Sequence, residues 1–312
     1  MNSEKIKIYV GADRSQALAI PVLEHSIKRH TAAQVEVIPM LDLPVPTPRD
    51  PRNGQRTGFS YSRFCIPALA GYKGKAIYLD ADMLVFGDIL ELWNLPMEGA
   101  KVLIQKEVKF GERTVLKPGA PRQRIQQSAV MVMDCARLNW SIEQIVADMD
   151  RGAYNYEQLM YEMCILNTED IRVAIPFEWN SLEHFDNTTR LLHYTDVFTQ
   201  PWTFVGHPLG SLWFDEVRRM LKEGNLKLSD VAHDIGLGYL RPSLLRDILY
   251  QHRLPASLLH LFDSFNRSAD RASGFSAHKA VYRAKKIRTQ AIAQYLGTHP
   301  EYSTSSPAPH DE

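Results

Sequence analysis

The sequence predicts an α/β protein with a mostly parallel sheet flanked by helices, followed by a helical C-terminal region. Three observations predict it. Six short apolar runs rich in Val, Ile and Tyr lie at 6–11, 35–40, 76–80, 101–105, 129–134 and 171–175. Segments of helical length separate several of them, and strands alternating with helices imply parallel pairing with both sheet faces covered. From about residue 208 the strand signals stop and the pattern turns helical. A chain of 312 residues, 45% of them hydrophobic, is ample for the core this requires.

Taken in order, Ile6-Lys7-Ile8-Tyr9-Val10-Gly11 is a first strand that begins almost at once, where a secretory signal would otherwise stand. A helix over 17–30 and the strand at 35–40 follow. Leu43-Pro44-Val45-Pro46-Thr47-Pro48-Arg49-Asp50-Pro51 is too proline-rich for either element and is expected to run as an extended surface loop. Residues 61–72 and 140–150 are predicted helical, as are 211–223 and 243–250. The expected division is a sheet-containing domain over 1–207, a helical region over 208–300 and a disordered polar tail over 301–312.

Composition narrows the partners. Lys plus Arg and Asp plus Glu each number 36, so the formal net charge is zero. Neutralising a phosphate backbone needs a surplus of cations, so no nucleic-acid partner is expected. Leu226 to Leu249 has some helix-turn-helix character but lacks a basic recognition face. Cys65, Cys135 and Cys164 form an odd set without metal-like spacing, and are expected to be buried small hydrophobes in a reducing compartment. With no apolar run long enough to span a bilayer, the expected location is cytoplasmic, with peripheral membrane contact open.

The chemistry concentrates in Ala76-Ile77-Tyr78-Leu79-Asp80-Ala81-Asp82-Met83-Leu84-Val85. An apolar strand ends in carboxylates at i and i+2, a spacing that points both the same way in extended backbone. Two carboxylates in an apolar frame are costly unless a cation compensates them, and hard oxygen ligands suit Mg²⁺ or Mn²⁺. The alternative is a solvated turn capped by Asp80 and Asp82. In open parallel sheets ligands collect outside the carboxyl ends of the strands, where this pair lies.

Tyr61-Ser62-Arg63-Phe64, then Tyr78-Leu79-Asp80-Ala81-Asp82, then Asp88 and Leu92-Trp93 together resemble the core of glycosyltransferase family 8, over roughly residues 6 to 202. That resemblance implies a GT-A fold and transfer of a hexose from a nucleotide sugar with retention of configuration. It implies that Asp80, Asp82 and His193 hold the metal, His193 coming from Arg190-Leu191-Leu192-His193-Tyr194-Thr195. A mixed nitrogen and oxygen set leans toward Mn²⁺. Arg63, whose planar guanidinium suits phosphate or donor oxygens, Ala81 between the carboxylates, and Gln127 and Ser128 at a strand entry are implied at the donor. Glu157 and Gln158 are implied near the sugar's reacting carbon, or else they cap a helix running to Asn167. Ile175-Pro176-Phe177-Glu178-Trp179-Asn180 resembles a family segment that is more structural than catalytic.

The sequence also departs from the family. Asp13 matches the residue expected to accept from uracil, but Ser15 and Gln16 replace the usual Asn and base-stacking Tyr. Gln200-Pro201-Trp202 lacks the lysine that usually precedes Pro-Trp and contacts the diphosphate, which throws more weight on Arg63 and the metal, with Arg14 as a further cation. UDP is the implied nucleotide, and the implied acceptor is a glycan or lipid-linked hydroxyl. A nucleotidyltransferase would need a Gly-rich triphosphate loop near the first strand, and none is evident; a binder without turnover is the other alternative. Finally, 266–299 carries Arg267, Arg271, Lys279, Arg283, Lys285, Lys286 and Arg288 against Asp270 alone. With Val281, Ala284, Ile287, Ala291, Ile292 and Tyr295 at helical spacing, it fits either an anionic membrane surface or a helix packed on the catalytic domain.

Overall fold

The structure, a computed structural model, describes residues 5–105 and 127–298. All of the predicted strands form: β1 (Ile6–Gly11), β2 (Val35–Met40), β3 (Lys75–Asp80), β5 (Val102–Gln105), β6 (Gln127–Asp134) and β7 (Ile171–Ile175). They build one sheet in the order β2-β1-β3-β6-β5-β7, with β6 alone antiparallel to its neighbours. A second, smaller sheet of β4 (Met83–Val85), β9 (Leu191–His193) and β8 (Ser181–Leu182) lies beside it.

Strand periodicity explains the two-sided burial. Ile8, Val10, Ile77 and Leu79 face one hydrophobic cluster, while the alternating Tyr9 and Tyr78 face another. Helix α1 (Ala19–Arg29) covers the first side with Ile20, Val22, Leu23 and Ile27. On the opposite side, α4 (Ile142–Asp150) brings Ile145, Val146 and Met149 against Tyr61, Phe64 and Met131. Ser141 starts α4, its hydroxyl accepting from Gln144 N–H.

The predicted helix over 61–72 is shorter than expected: a 3₁₀ turn at Ser62–Cys65 leads into α2 (Ile66–Leu69). Pro67 has no N–H to give to a preceding turn, so a continuous ladder cannot pass through it. A helical turn at Gln158–Glu162 likewise stops well before Asn167, closed by Met163 at φ 49°. Of the three cysteines only Cys135 is buried; Cys164 is exposed, so the expectation of three buried thiols fails there.

Past α3 (Ile89–Trp93), the C-terminal region folds as α5 (Gly210–Glu223), α6 (Leu228–Gly236), α7 (Leu244–Tyr250), α8 (Ala256–Ala272) and α9 (Lys279–Thr298). Trp213, Phe214, Val217, Leu244 and Ile248 join the same cluster as the sheet residues Ile8 and Leu79, so the core runs on across residue 207. Helix α9 packs back on the sheet-containing part: Arg52 lies 3.5 Å over the Tyr295 ring, and Phe198 stacks on Tyr282 at 4.4 Å. The expected tail over 301–312 falls outside the described residues. Among the described residues, no helix is long and apolar enough to cross a membrane.

Candidate active site

The site begins where β1 and β3 end together, with Gly11 opposite Asp80 in register. A side chain at Gly11 would run into the Tyr78 hydroxyl, so only glycine lets the two strand ends close here. Asp80 is the last residue of β3, and Ala81 and Asp82 turn the chain into β4. The two carboxylates therefore converge across a turn, not along one continuous strand. Antiparallel pairing of Met83 with His193 carries the imidazole to the same place. One ligand atom each from Asp80, Asp82 and His193 lies within 4.8 Å of the others. His193 Nε2 is 3.2 Å from Asp82 Oδ1.

Neighbouring side chains hold these groups. Asn180 Oδ1 sits 2.8 Å from His193 Nδ1, while Asn180 Nδ2 donates to Gln105 Oε1 at 2.8 Å and Gln105 Nε2 donates back to the Asn180 carbonyl at 3.1 Å. With its amide oriented by Gln105, Asn180 presents an acceptor to Nδ1, so the proton stays there and the Nε2 lone pair faces Asp82. Tyr78 donates its hydroxyl to Asp80 Oδ1. Arg63, only 5% exposed, lies 3.4 Å from Asp80, donates to Ser60 O at 3.1 Å and Ser128 Oγ at 2.7 Å, and sits over the Tyr78 ring at 4.7 Å. Because β6 runs against β3, it is the start of β6 that reaches this edge, which is why Ser128 meets Arg63.

The electrostatics of this cluster are unresolved within the chain. Burial raises the Asp80 pKa; Arg63 pulls it down and Asp82 pushes it up further, for a net upward shift. Burial favours neutral His193, but Asp82 and Asp80 outweigh it and raise the imidazole above its ordinary 6.5. Asp82 Oδ2 accepts from Gln200 Nε2 at 2.7 Å, whereas buried Oδ1 has no hydrogen-bond partner among the described residues. An orphaned carboxylate oxygen beside an imidazole lone pair and a second carboxylate suits a divalent cation, so the residues present fit a metal.

The other predicted residues divide. Ala81 is buried and its N–H donates to Gly11 O at 3.0 Å. Asp13 accepts from Ser15 N–H at 2.9 Å in the turn after β1, at the same sheet edge. Gln127 opens β6 in register with Gln105, and its side chain lies outside the described residues. Glu157 is drawn into ion pairs with Arg56 and Arg288. Gln158 is exposed, and its Oε1 accepts from Asn155 N–H while its own N–H donates to Asn155 Oδ1, both at 2.9 Å, so the capping role is realised there. Arg14 reaches out to Asp42. Sequence reasoning missed Gln105, gave Tyr78 and Arg288 no role at the site beyond their place in a motif and in the basic stretch, and read the Asn180 segment as more structural than catalytic. Gln105, Asn180 and Arg288 act through partners distant in the chain, and Tyr78, although two residues from Asp80, looks like any strand aromatic.

The profile of the family described as glycosyl transferase family 8 matches residues 47–205, more than half of the chain. The chain belongs to glycosyl transferase family 8. It is a glycosyltransferase by family, and its mostly parallel sheet with carboxylates at the strand ends is of the expected GT-A type. Among curated proteins it is similar to Protein CDI of Arabidopsis thaliana, 29% identical over 69% of this chain and 82% of that protein. It is also similar to Probable galacturonosyltransferase 7 of the same plant, 26% identical over 55% of this chain and 30% of that protein. Among solved structures, the glycosyltransferase GlyE of Streptococcus pneumoniae TIGR4 aligns with a TM-score of 0.49 at 16% identity, covering 69% of this chain and 60% of that one.

Proposed function

We propose that the protein is a retaining, divalent-metal-dependent hexosyltransferase that moves a sugar from a nucleotide donor, UDP-linked, to a hydroxyl of a glycan or lipid-linked acceptor. One observation carries this reading: Asp80, Asp82 and His193 converge with a buried carboxylate oxygen left unpaired, next to a buried arginine. Asp80, Asp82 and His193 would hold the cation, Mn²⁺ in preference to Mg²⁺. Bound there, it supplies electrostatic stabilisation of the negative charge that grows on the departing diphosphate.

The chain's own residues do the rest. Arg63 cannot swing away, because Ser60, Ser128 and Asp80 fix its guanidinium, so it presents a preorganised cation to donor oxygens. Asn180 keeps the His193 proton on Nδ1. Asp13 serves the base, with Ser128 and Gln127 toward the sugar. Burial of the pocket floor excludes water that would otherwise capture an oxocarbenium-like sugar. Glu157, held by Arg56 and Arg288, and Gln158 serve the sugar near its reacting carbon. Residues 1–207 carry the donor site, and 208–300 support it from the C-terminal side, with the exposed cations of α9 available to an anionic membrane surface bearing the acceptor.

A thermal-shift panel of UDP-, GDP-, ADP- and CMP-sugars, with Mn²⁺ or chelator, tests this on wild type and Asp82→Ala. A ligand that binds only the folded state raises the melting temperature. A Mn²⁺-dependent shift with the UDP-sugars, lost in Asp82→Ala, is expected; indifference to metal and to Asp82 sinks the reading. Gln200 in place of a diphosphate-contacting lysine favours one second reading, a binder without turnover. Absence of donor hydrolysis despite that shift would select it.

A further inference from the structure

The turn that follows β1, and the distant residue that contacts it, each hold a polar side chain with buried atoms left unpaired among the described residues. Gln16 is 1% exposed, and neither its Oε1 nor its Nε2 makes a hydrogen bond. Ser15 Oγ lies 2.9 Å from Nδ1 of His278, a residue 263 positions further along the chain. His278 is 4% exposed, and its Nε2 is buried without a partner. The Val197 carbonyl is near the ring without closing a hydrogen bond onto Nε2, and Asp13 and Asp82 both act on it electrostatically. This imidazole therefore stands at the base end of the proposed donor site, joined through Ser15 to Asp13. Its backbone is left-handed at φ 49°, a conformation costly for a side chain other than glycine and concentrated at functional positions.

We propose that His278 is a donor-binding residue: Ser15 gives its hydroxyl proton to Asp13 and so accepts from Nδ1, leaving Nε2 to accept a hydrogen bond from a ribose hydroxyl of the nucleotide at the Asp13 turn. This rests on the nucleotide-sugar reading above. A histidine serving only as a peg between α8 and α9 would have both ring nitrogens satisfied within the protein, as buried polar atoms ordinarily are. Helix α9 holds it in place. Its first turns are tied to the segment after His193 by the Tyr282–Phe198 stack, and further along Arg288 pairs with Glu157 and lies 5.1 Å over the Tyr156 ring. The helix thus crosses from the nucleotide end toward the Glu157 end.

The test is calorimetric titration of the full chain in Mn²⁺ with UDP, uridine, 2′-deoxy-UDP and 3′-deoxy-UDP, comparing wild type with His278→Asn, His278→Gln and Asp82→Ala. Asparagine tolerates a left-handed backbone and overlays the Nδ1 edge, so it keeps the Ser15 contact and deletes only the Nε2 position. Glutamine restores an amide near Nε2. His278→Asn is expected to bind UDP roughly three- to tenfold more weakly, with an unchanged ligand-free melting temperature, and His278→Gln to recover part of that loss. The deoxy-UDP lacking the partner hydroxyl is expected to bind wild type and His278→Asn alike; a difference kept by both deoxy-UDPs but lost with uridine overturns the ribose assignment. UDP affinity lost in Asp82→Ala but equal in wild type and both His278 variants overturns this proposal while leaving the donor reading intact. A wild type that binds none of the nucleotides overturns both.

Discussion

Two clusters of buried charge in this chain are built in opposite ways. Around Arg241, which is fully buried, the arginine, Asp247 and Asp270 are each partnered, although Oδ1 of nearby Asp263 is not: the guanidinium donates to Pro201 O at 3.2 Å, to Ser243 Oγ and to Asp247. Asp247 receives Asn266 Nδ2 at 2.8 Å, and both oxygens of Asp270 are bound by Ser243, at 2.8 and 2.7 Å. Around Asp82 the sums do not close. Of the two carboxylates only Asp80 meets an arginine, an imidazole points its lone pair inward, and one oxygen of Asp82 has nothing to accept from. Buried charge paired mostly within the chain fastens α7 and α8 to the Trp202 segment; carboxylates that converge with an imidazole lone pair and lack such pairing fit a ligand.

The largest expected effect tests the first cluster. Arg241→Ala leaves Asp247 buried without its cation and should cost about 3–5 kcal/mol in denaturant unfolding. Wild-type stability in that variant would break the contrast. Asp82→Asn should behave oppositely. Donor turnover is expected to fall about 100- to 1000-fold, while the metal-free melting temperature stays level or rises, because a repulsive charge has gone. A large loss of metal-free stability would instead mean that Asp82 is a structural ion. Asn180→Ala removes the acceptor that orients His193, and Mn²⁺ affinity measured by titration should drop about 10- to 100-fold.

The smallest effect is on pH dependence. His193 and Asp80 both bind protons more tightly in the folded chain than their ordinary pKa values imply. Without metal, stability contributed by those protons is present at acid pH and declines as the pH rises through the raised values, above 6.5 for His193. Metal must displace the same protons, so Mn²⁺ affinity should run the other way, weaker at pH 6 than at pH 8. Melting curves with and without Mn²⁺ across that range check both signs. Parallel curves would remove His193 from the ligand set.

Much of the candidate site was legible from sequence because its parts are local. Asp80 and Asp82 stand beside a strong apolar strand, and Arg63 and His193 stand in motifs of recognisable order. Their supports were not legible. Tyr78 looks like any strand aromatic, and only the close approach at Gly11 reveals why its hydroxyl meets Asp80. Gln105 and Asn180 lie 75 positions apart and read as unremarkable amides until the fold pairs them. Gln158 shows the converse, a residue with a suggestive motif whose oxygen is spent on capping.

The sequence by itself determined the strands of the main sheet, the covering helices and the carboxylate pair, because periodicity of burial and the cost of placing charge beside apolar strands act over a few residues. Only the tertiary structure decided that β6 enters the sheet backwards and so delivers Ser128 to Arg63. It alone decided that His278, brought in by the chain's return through α8 and α9, stands beside the first strand's turn. Those contacts join residues up to 263 positions apart, and at that separation the packing of whole elements, which no local pattern encodes, chooses the partner.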